Sequence, residues 1–546
     1  MFLIHMRLIF RLVDLGQRKA THLGSNRSLR SPRISTSAFL PPSQEKYKVS
    51  RYAPLRSYPF FPAILTIQTT RSTSNMALSL TIRNLTSTPL ELKLIERYEA
   101  PSSNERKRNA TSSAPSAPKL GEHAQSFSQQ DADIRIEPFK IHTTDIKATE
   151  HLGNETIRLT IESDGQRYRI DIPSRKTESR TFTPLVPDPR RQFTGVFLPN
   201  DAYLSIYPSA NPPCWMKELK DETPLSAISI PGTHNSPTYY KALPSVRCQA
   251  VSPKSQLENG IRFFDIRVQP QNPTDLSKDG LILVHGVFPI SLTGTKYLRD
   301  LINPTLDFLA RNPSETLIMS LKREGAGNAT DQQLSQILHK HYATDSAKWF
   351  TEPRIPTLGE ARGKIVLLRR FCLDESLQDL HDGRGWCLNA ESWAYNTPND
   401  AHGDVCVQDF CEVLEAPKIT QKIEFSQAHL AAAGSCVAPL PGVNTDAVNP
   451  VPPGPLYLNF LSASNFWRMG CWPERIAARL NPAVTGYLCT KHHLDGGGDG
   501  DGGTGIVVCD WVGLNGDWDL VRCIIGMNGK LEMREVSRTG ERELTT

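Results

Sequence analysis

From Pro212 to the C-terminus, short runs of Ile, Leu and Val alternate with stretches of helical spacing, and several runs end on a residue able to do chemistry. Leu225-Ser-Ala-Ile-Ser-Ile-Pro-Gly-Thr leads into His234, and Leu281-Ile-Leu-Val leads into His285. Between them lies Phe263-Phe-Asp-Ile-Arg267. A short apolar run bounded by turn formers is the mark of a buried strand, and Asn235-Ser236 and Gly286 are such turn formers. Tyr297 to Ala310 and Asp331 to Tyr342 carry apolar residues at helical spacing. Strand–helix alternation over about 310 residues predicts a (β/α) barrel, whose chemistry sits at the C-terminal ends of the strands. His234, Asp265, Arg267, His285, Asp409 and Asp510 all fall at or near such ends.

Two imidazoles beside a guanidinium suit acid/base chemistry on a phosphodiester. One ring takes a proton from the attacking hydroxyl and the other gives one to the leaving oxygen. The arginine stabilises charge on phosphorus.

The segment before the barrel reads differently. Residues 76–210 hold short period-two stretches, among them Thr156-Ile-Arg-Leu-Thr-Ile-Glu and Tyr168-Arg-Ile-Asp-Ile172, joined by the hairpin signal Ser163-Asp-Gly165. They predict a small all-β, sandwich-like domain, with a Ser/Pro-rich insertion near 101–132 that reads as disordered. Residues 211–546 are then the barrel domain. Residues 1–75 hold twelve Lys/Arg against two Asp/Glu. They read as a transit-like arm, as a disordered arm, or as an over-extended start with Met76 as initiator.

Without that arm the chain carries 50 basic and 55 acidic residues, which argues against nucleic acid as a partner. The apolar stretch Phe2 to Leu15 is too short to cross a bilayer. The eleven cysteines all lie between Cys214 and Cys523, and their odd number points to free thiols in a reducing compartment. The expected location is therefore intracellular, cytoplasmic or peripheral to a membrane, and mitochondrial if the arm is a transit peptide. The tract Asp495 to Gly505 reads as a flexible Asp/Gly loop rather than a calcium loop, because it lacks the terminal Glu and flanking helices of an EF-hand.

The stretches around His234, Asp265–Arg267 and His285 resemble the X region of phosphatidylinositol-specific phospholipase C, most of all its bacterial, calcium-independent branch. Asn312 to Glu324, Gly359 to Phe371, Val405 to Asp409, Leu456 to Phe460 and Thr485 to Asp510 continue the likeness in order, over about residues 215–525. The resemblance implies a distorted TIM barrel acting on a phospholipid at a membrane surface. It assigns His234 as general base toward the inositol 2-hydroxyl and His285 as general acid toward the diacylglycerol oxygen. Arg267 clamps the phosphate, Asp265 orients the arginine or a histidine, and Asp510 orients the base. Lys322, Arg370 and Asp409 match residues that bind inositol hydroxyls or phosphate.

Two positions depart from the pattern. Asn235 stands where the bacterial family has an Asp that partners the acid. Cys411 stands where an aromatic stacks on the inositol ring, and Phe410 is the expected substitute. Calcium-dependent relatives carry His-Asn at the first position, with acids on the next two strands. Here Asp265 is expected to be the sole acid of that region, with Arg267 and Lys322 nearby to repel Ca²⁺, so no metal cofactor is expected. Two other readings stay open: a metal-dependent glycerophosphodiester or sphingomyelinase D type phosphodiesterase, and a degenerate barrel that binds lipids.

Overall fold

A computed structural model describes residues 78–99, 120, 123–148, 155–172, 178–209, 211–439, 444–445, 448, 452–494 and 500–531. The arm 1–75, most of the insertion 101–132 and residues 495–499 lie outside them. The backbone of the C-terminal part is a sheet of parallel strands in the order Ile365–Arg370, Leu317–Arg323, Phe263–Pro270, Ile230–Thr233, Ile506–Cys509, Leu456–Phe460 and Val405–Gln408. Their residues are almost wholly buried, as strands covered on both faces must be. Gly232 is required here: a Cβ would stand 2.9 Å from the Phe263 side chain on the next strand.

Helices follow several strands and cover the sheet. Arg299–Arg311 and Asp331–His341 match the helical spacing of the sequence closely. Thr330 and Gln333 close the second one with a capping box, each side chain binding the other's backbone N–H. Pro417–Gly434, Pro473–Thr490 and Asp519–Gly526 follow later strands.

The sheet curls, but its ladder is not continuous all round. Leu388–Asn389 pairs with Ile365–Arg370 at one end, and no ladder among the described residues joins it to Val405–Gln408 at the other. Two hydrogen bonds meet there instead: Asp404 N–H to the Asn389 carbonyl at 3.0 Å and Asn389 N–H to the Asp404 carboxylate at 2.8 Å.

Residues 79–208 contribute two five-stranded sheets, with Ser79–Asn84 in one and Leu90–Glu99 in the other. Leu80, Ile82, Phe193 and Leu204 of the first share one apolar core with Leu92, Leu159 and Ile170 of the second. The Ser163/Gln166 turn is the expected hairpin, with Asp164 and Gly165 both at positive φ. One pair, Ser79–Asn84 with Tyr203–Pro208, is parallel.

These sheets and the parallel strands lie within one compact unit, Ser74–Thr546. Arg83 shows what joins them. It is 3% exposed and its guanidinium donates to the carbonyls of Leu488, Cys489, His492 and His493, at the C-terminus of Pro473–Thr490. A cation there meets the negative end of the helix dipole and satisfies carbonyls with no partner inside the helix. The second half of the Asp/Gly tract is packed rather than flexible. Asp501 accepts from Ala438 N–H at 2.7 Å, and a Cβ on Gly500 would stand 2.3 Å from the Gly434 carbonyl.

Arg83→Met should lower the unfolding free energy by about 3 kcal/mol, since each buried carbonyl left unpaired costs about 1–3 kcal/mol. Urea unfolding of the variant checks this; a change under about 0.5 kcal/mol would contradict the role given to Arg83.

Candidate active site

The three strands Phe263–Pro270, Leu317–Arg323 and Ile365–Arg370 are neighbours, and their ladders place Arg267 opposite Lys322 and Lys322 opposite Arg370. In-register residues of parallel strands face the same way, so three cations stand in a row at one end of the sheet. Asp265 precedes Arg267 by two residues and so lies on the same face, one step deeper.

Asp265 is fully buried and both its oxygens are engaged. Oδ1 accepts from Arg370 Nη1 at 3.3 Å. Oδ2 accepts from Arg267 Nη2 at 3.3 Å and from the Asn235 backbone N–H at 3.1 Å. Burial alone would raise its pKa, but Arg267, Arg370 and His234 outweigh burial and hold the carboxyl below its usual range. Glu324 is the second anion, two residues beyond Lys322. It accepts from Arg267 Nη1 at 3.1 Å, from Lys322 Nζ at 3.1 Å and from Gly286 N–H at 2.8 Å. Burial opposes its charge, yet Arg267 and Lys322 keep it ionised well below the carboxylate range.

His234 leaves Ile230–Thr233 beside the end of Ile506–Cys509, and its N–H binds the Cys509 carbonyl. The next residue of that neighbour, Asp510, lies with Oδ1 2.9 Å from His234 Nδ1. On the other side of the ring, Arg267 Nη2 lies 2.9 Å from Nε2. A guanidinium only donates, so Nε2 must accept, and the ring proton sits on Nδ1 facing Asp510. Burial lifts the Asp510 carboxyl above its ordinary range, against the opposing pull of His234.

His285 arrives by a different route from the one expected. Leu281–His285 is not a member of the parallel ladder. It folds back antiparallel on Phe263–Pro270, with Leu283 opposite Val268. That direction carries His285 back toward Arg267. Its Nδ1 lies 2.9 Å from the Val246 carbonyl, which only accepts, so Nδ1 holds the proton. The His234 and His285 rings stand edge to face with centroids 5.8 Å apart. Burial, then the positive charge of Arg267, push the His285 pKa down to about 4.

His234, Arg267, His285, Lys322, Arg370 and Asp409 line one cavity of about 560 Å³. Its wall also holds Cys248, Glu324, Trp393, Tyr395 and Cys411. Trp393 lies under the Arg370 guanidinium, 3.8 Å from cation to ring centre, and its Nε1–H donates to Asp409 at 3.1 Å.

Three expectations are corrected by this geometry. Phe410 does not line the cavity; it packs on Phe425 with ring centres 5.2 Å apart, and Trp393 and Tyr395 supply the aromatic wall instead. Asn235 does not pair with His285, whose Nδ1 is taken by Val246. Asn235 is buried, its Nδ2 stands 3.5 Å from His234 Nε2, and its Oδ1 has no hydrogen-bond partner. Asp265 is not the sole acid of this region, since Glu324 joins it. Period two on the strand of Lys322 would have found Glu324. Trp393 and Cys248 sit in loops, where no pattern announces them.

Residues 222–371 match the sequence model described as phosphatidylinositol-specific phospholipase C, X domain. This segment is similar to that domain over its matched length. It contains Asn235, both histidines, Asp265 and the row Arg267, Lys322, Arg370, whereas Asp409 and Asp510 lie beyond it. A 1-phosphatidylinositol phosphodiesterase of Listeria monocytogenes is 37% identical over 163 residues, which are 28% of this chain and 47% of that protein. The chain thus spans about half the length of that relative. A protein of the same name from Staphylococcus aureus is 26% identical over 349 residues, 60% of this chain and 98% of its own. A solved structure of phosphatidylinositol-specific phospholipase C from S. aureus aligns with a TM-score of 0.45 at 23% identity, over 58% of this chain and 97% of the other.

His285 is expected to titrate near pH 4 in the free protein, and higher once inorganic phosphate fills the cavity, because an anion favours the imidazolium. Nuclear magnetic resonance titration of the ring reads both. His285, His429 and His492 are all held near 4 by burial, below the ordinary 6.5. Between those values the folded protein binds fewer protons than the unfolded chain, so stability should fall as pH drops from about 6.5 toward 4. Denaturation at pH 7 and pH 5 checks the sign; equal midpoints would contradict it.

Proposed function

We propose that this chain cleaves phosphatidylinositol-type lipids by transfer of the phosphoryl group to the inositol 2-hydroxyl, with two histidines as acid and base and no calcium. The observation that carries the reading is the pairing across one cavity of the unprotonated His234 Nε2, which accepts from Arg267, with His285 beside it and a row of cations below. The likeness to named phosphodiesterases supports the substrate class.

In this reading His234 Nε2 takes the proton of the 2-hydroxyl, and Asp510 stabilises the imidazolium that forms at Nδ1. The hydroxyl oxygen bonds to phosphorus and the bond from phosphorus to the glycerol oxygen breaks. His285 Nε2 delivers a proton to that oxygen, releasing diacylglycerol and a cyclic inositol phosphodiester. His285 is neutral at pH 7 in the empty cavity, so the bound phosphodiester anion supplies the charge that loads the acid. Arg267 exchanges its bond to His234 for one to the phosphate, held on its far side by Glu324. Lys322, Arg370 and Asp409 receive the inositol hydroxyls, and Trp393 and Tyr395 form the wall that the ring faces.

The buried, unpartnered Oδ1 of Asn235 suits a hard cation, and so favours calcium as the second reading. Against it, both oxygens of Asp265 already bind arginines, and Glu324 binds Arg267 and Lys322. A calcium ion would have to displace fixed guanidinium groups that repel it.

His234→Ala and His285→Ala should each cut the rate of phosphatidylinositol cleavage by about 100-fold or more with folding intact. The wild-type rate in EDTA should equal or exceed that without it. Loss of activity in EDTA with recovery on adding Ca²⁺ would transfer the protein to the calcium-dependent reading. Absence of cleavage under both conditions, with binding to phosphatidylinositol vesicles retained, would leave a lipid-binding barrel.

A further inference from the structure

Cys248 is a thiol that the reaction above does not use, yet it lies against the reacting groups. It is fully buried by its neighbours, lines the cavity, and its Sγ stands 3.8 Å from His285 Nδ1. It also lies near the other histidine pair. One ligand atom each from His234, Cys248 and Asp510 fall within 4.8 Å of one another. Sulfur, imidazole nitrogen and carboxylate oxygen together are a donor set for zinc, not for calcium or magnesium, which take oxygen.

We propose that His234, Cys248 and Asp510 form an inhibitory binding site for a thiophilic divalent cation of the zinc class. The part that concerns binding stands on this geometry alone; the inhibition rests on His234 being the base.

Zinc bonds of about 2.0–2.3 Å at tetrahedral angles hold such atoms about 3.3–3.6 Å apart. Closing the set therefore needs a shift of about 1 Å, which rotation of the small Cys248 side chain can supply. Asp510 lies on the Nδ1 side of His234, and Arg267 lies on the Nε2 side. A cation between Nδ1 and Asp510 is thus separated from the Arg267 guanidinium by the imidazole ring. His234 and Cys248 line the cavity, so water or a phosphate oxygen from it would complete the tetrahedron.

Binding displaces two protons from their places. The Cys248 thiol proton goes to solvent as the Zn–S bond forms. The His234 proton leaves Nδ1 for Nε2 as the Zn–N bond forms. Nε2 is then a donor, faces the donors of Arg267, and has no lone pair for the substrate hydroxyl. Zinc thereby switches off the base, and the new Nε2 proton turns Arg267 away from its present bond to the ring.

Equilibrium dialysis against ZnCl₂ with metal analysis tests the site, with cadmium as an optical probe of the thiolate bond. Wild type should bind one equivalent more tightly than Cys248→Ser, by more than about 100-fold, because even a partner of a ligand is worth 10–100-fold. The cadmium–thiolate band should shrink by the same equivalent. Asp510→Asn should also lose it, and this variant decides the matter if Cys248→Ser lacks a cooperative thermal transition. In the lipid assay ZnCl₂ should suppress wild-type turnover at least tenfold, with full recovery in EDTA. Equal zinc stoichiometry and affinity in wild type and both variants would overturn the site. Zinc binding lost in the variants, with no cleavage of phosphatidylinositol by wild type in EDTA, would uphold the site and overturn the enzyme reading instead.

Discussion

The buried carboxylate of Asp265 is the interaction on which the cavity depends. Three cations in register on adjacent strands repel one another, and burial makes their isolation costly. Asp265 binds two of them, one with each oxygen, and fixes the Asn235 backbone after His234 with the same atom that holds Arg267. Removing it would leave the buried Arg370 guanidinium without its carboxylate and Arg267 with Glu324 alone, which costs several kcal/mol. Glu324 does the corresponding work from above, joining Arg267 and Lys322 to the Gly286 turn. The arginine is thereby gripped from both ends and presents a fixed direction of charge.

The two histidines are set by different kinds of partner, and that difference divides their roles. Asp510 can follow the protonation of His234, because a carboxylate stabilises an imidazolium far more than a neutral ring. The Val246 carbonyl fixes which nitrogen of His285 bears the proton but adds little to hold a second one. Burial and Arg267 then keep His285 neutral until an anion arrives. In the proposed reaction the charge of the bound phosphodiester would load this acid. Helix and sheet contacts far from the cavity serve this arrangement indirectly: Arg83 ties the N-terminal sheets to the helix that precedes Ile506–Cys509, the strand that leads into Asp510.

Much of this was legible in the residues. Strand ends could be read because turn formers follow His234 and His285, and strand polarity then placed Asp265, Arg267 and Asp510 together. The row Arg267, Lys322, Arg370 follows from parallel register, which a single sequence does not display. The antiparallel return of Leu281–His285 was hidden, because an apolar run looks the same in either direction. Phe410 has the ring, but its neighbour Cys411 faces the cavity, as alternation on an extended backbone requires of Asp409 and Cys411 together. Trp393 and Cys248 come from loops, whose course is set by long-range packing. Composition makes Gly500 to Gly505 read as flexible, yet the Gly434 carbonyl leaves no room for a Cβ at Gly500 and Tyr457 leaves none at Gly505.

In the proposed reaction an intramolecular hydroxyl, not water, attacks phosphorus between the two histidines. Phosphorus nuclear magnetic resonance of phosphatidylinositol vesicles mixed with the protein in EDTA tests it most directly. A cyclic inositol phosphodiester should appear first, with inositol monophosphate following only by its slower hydrolysis. Direct appearance of the monophosphate, or of phosphatidic acid, with no cyclic species at any time, would contradict it.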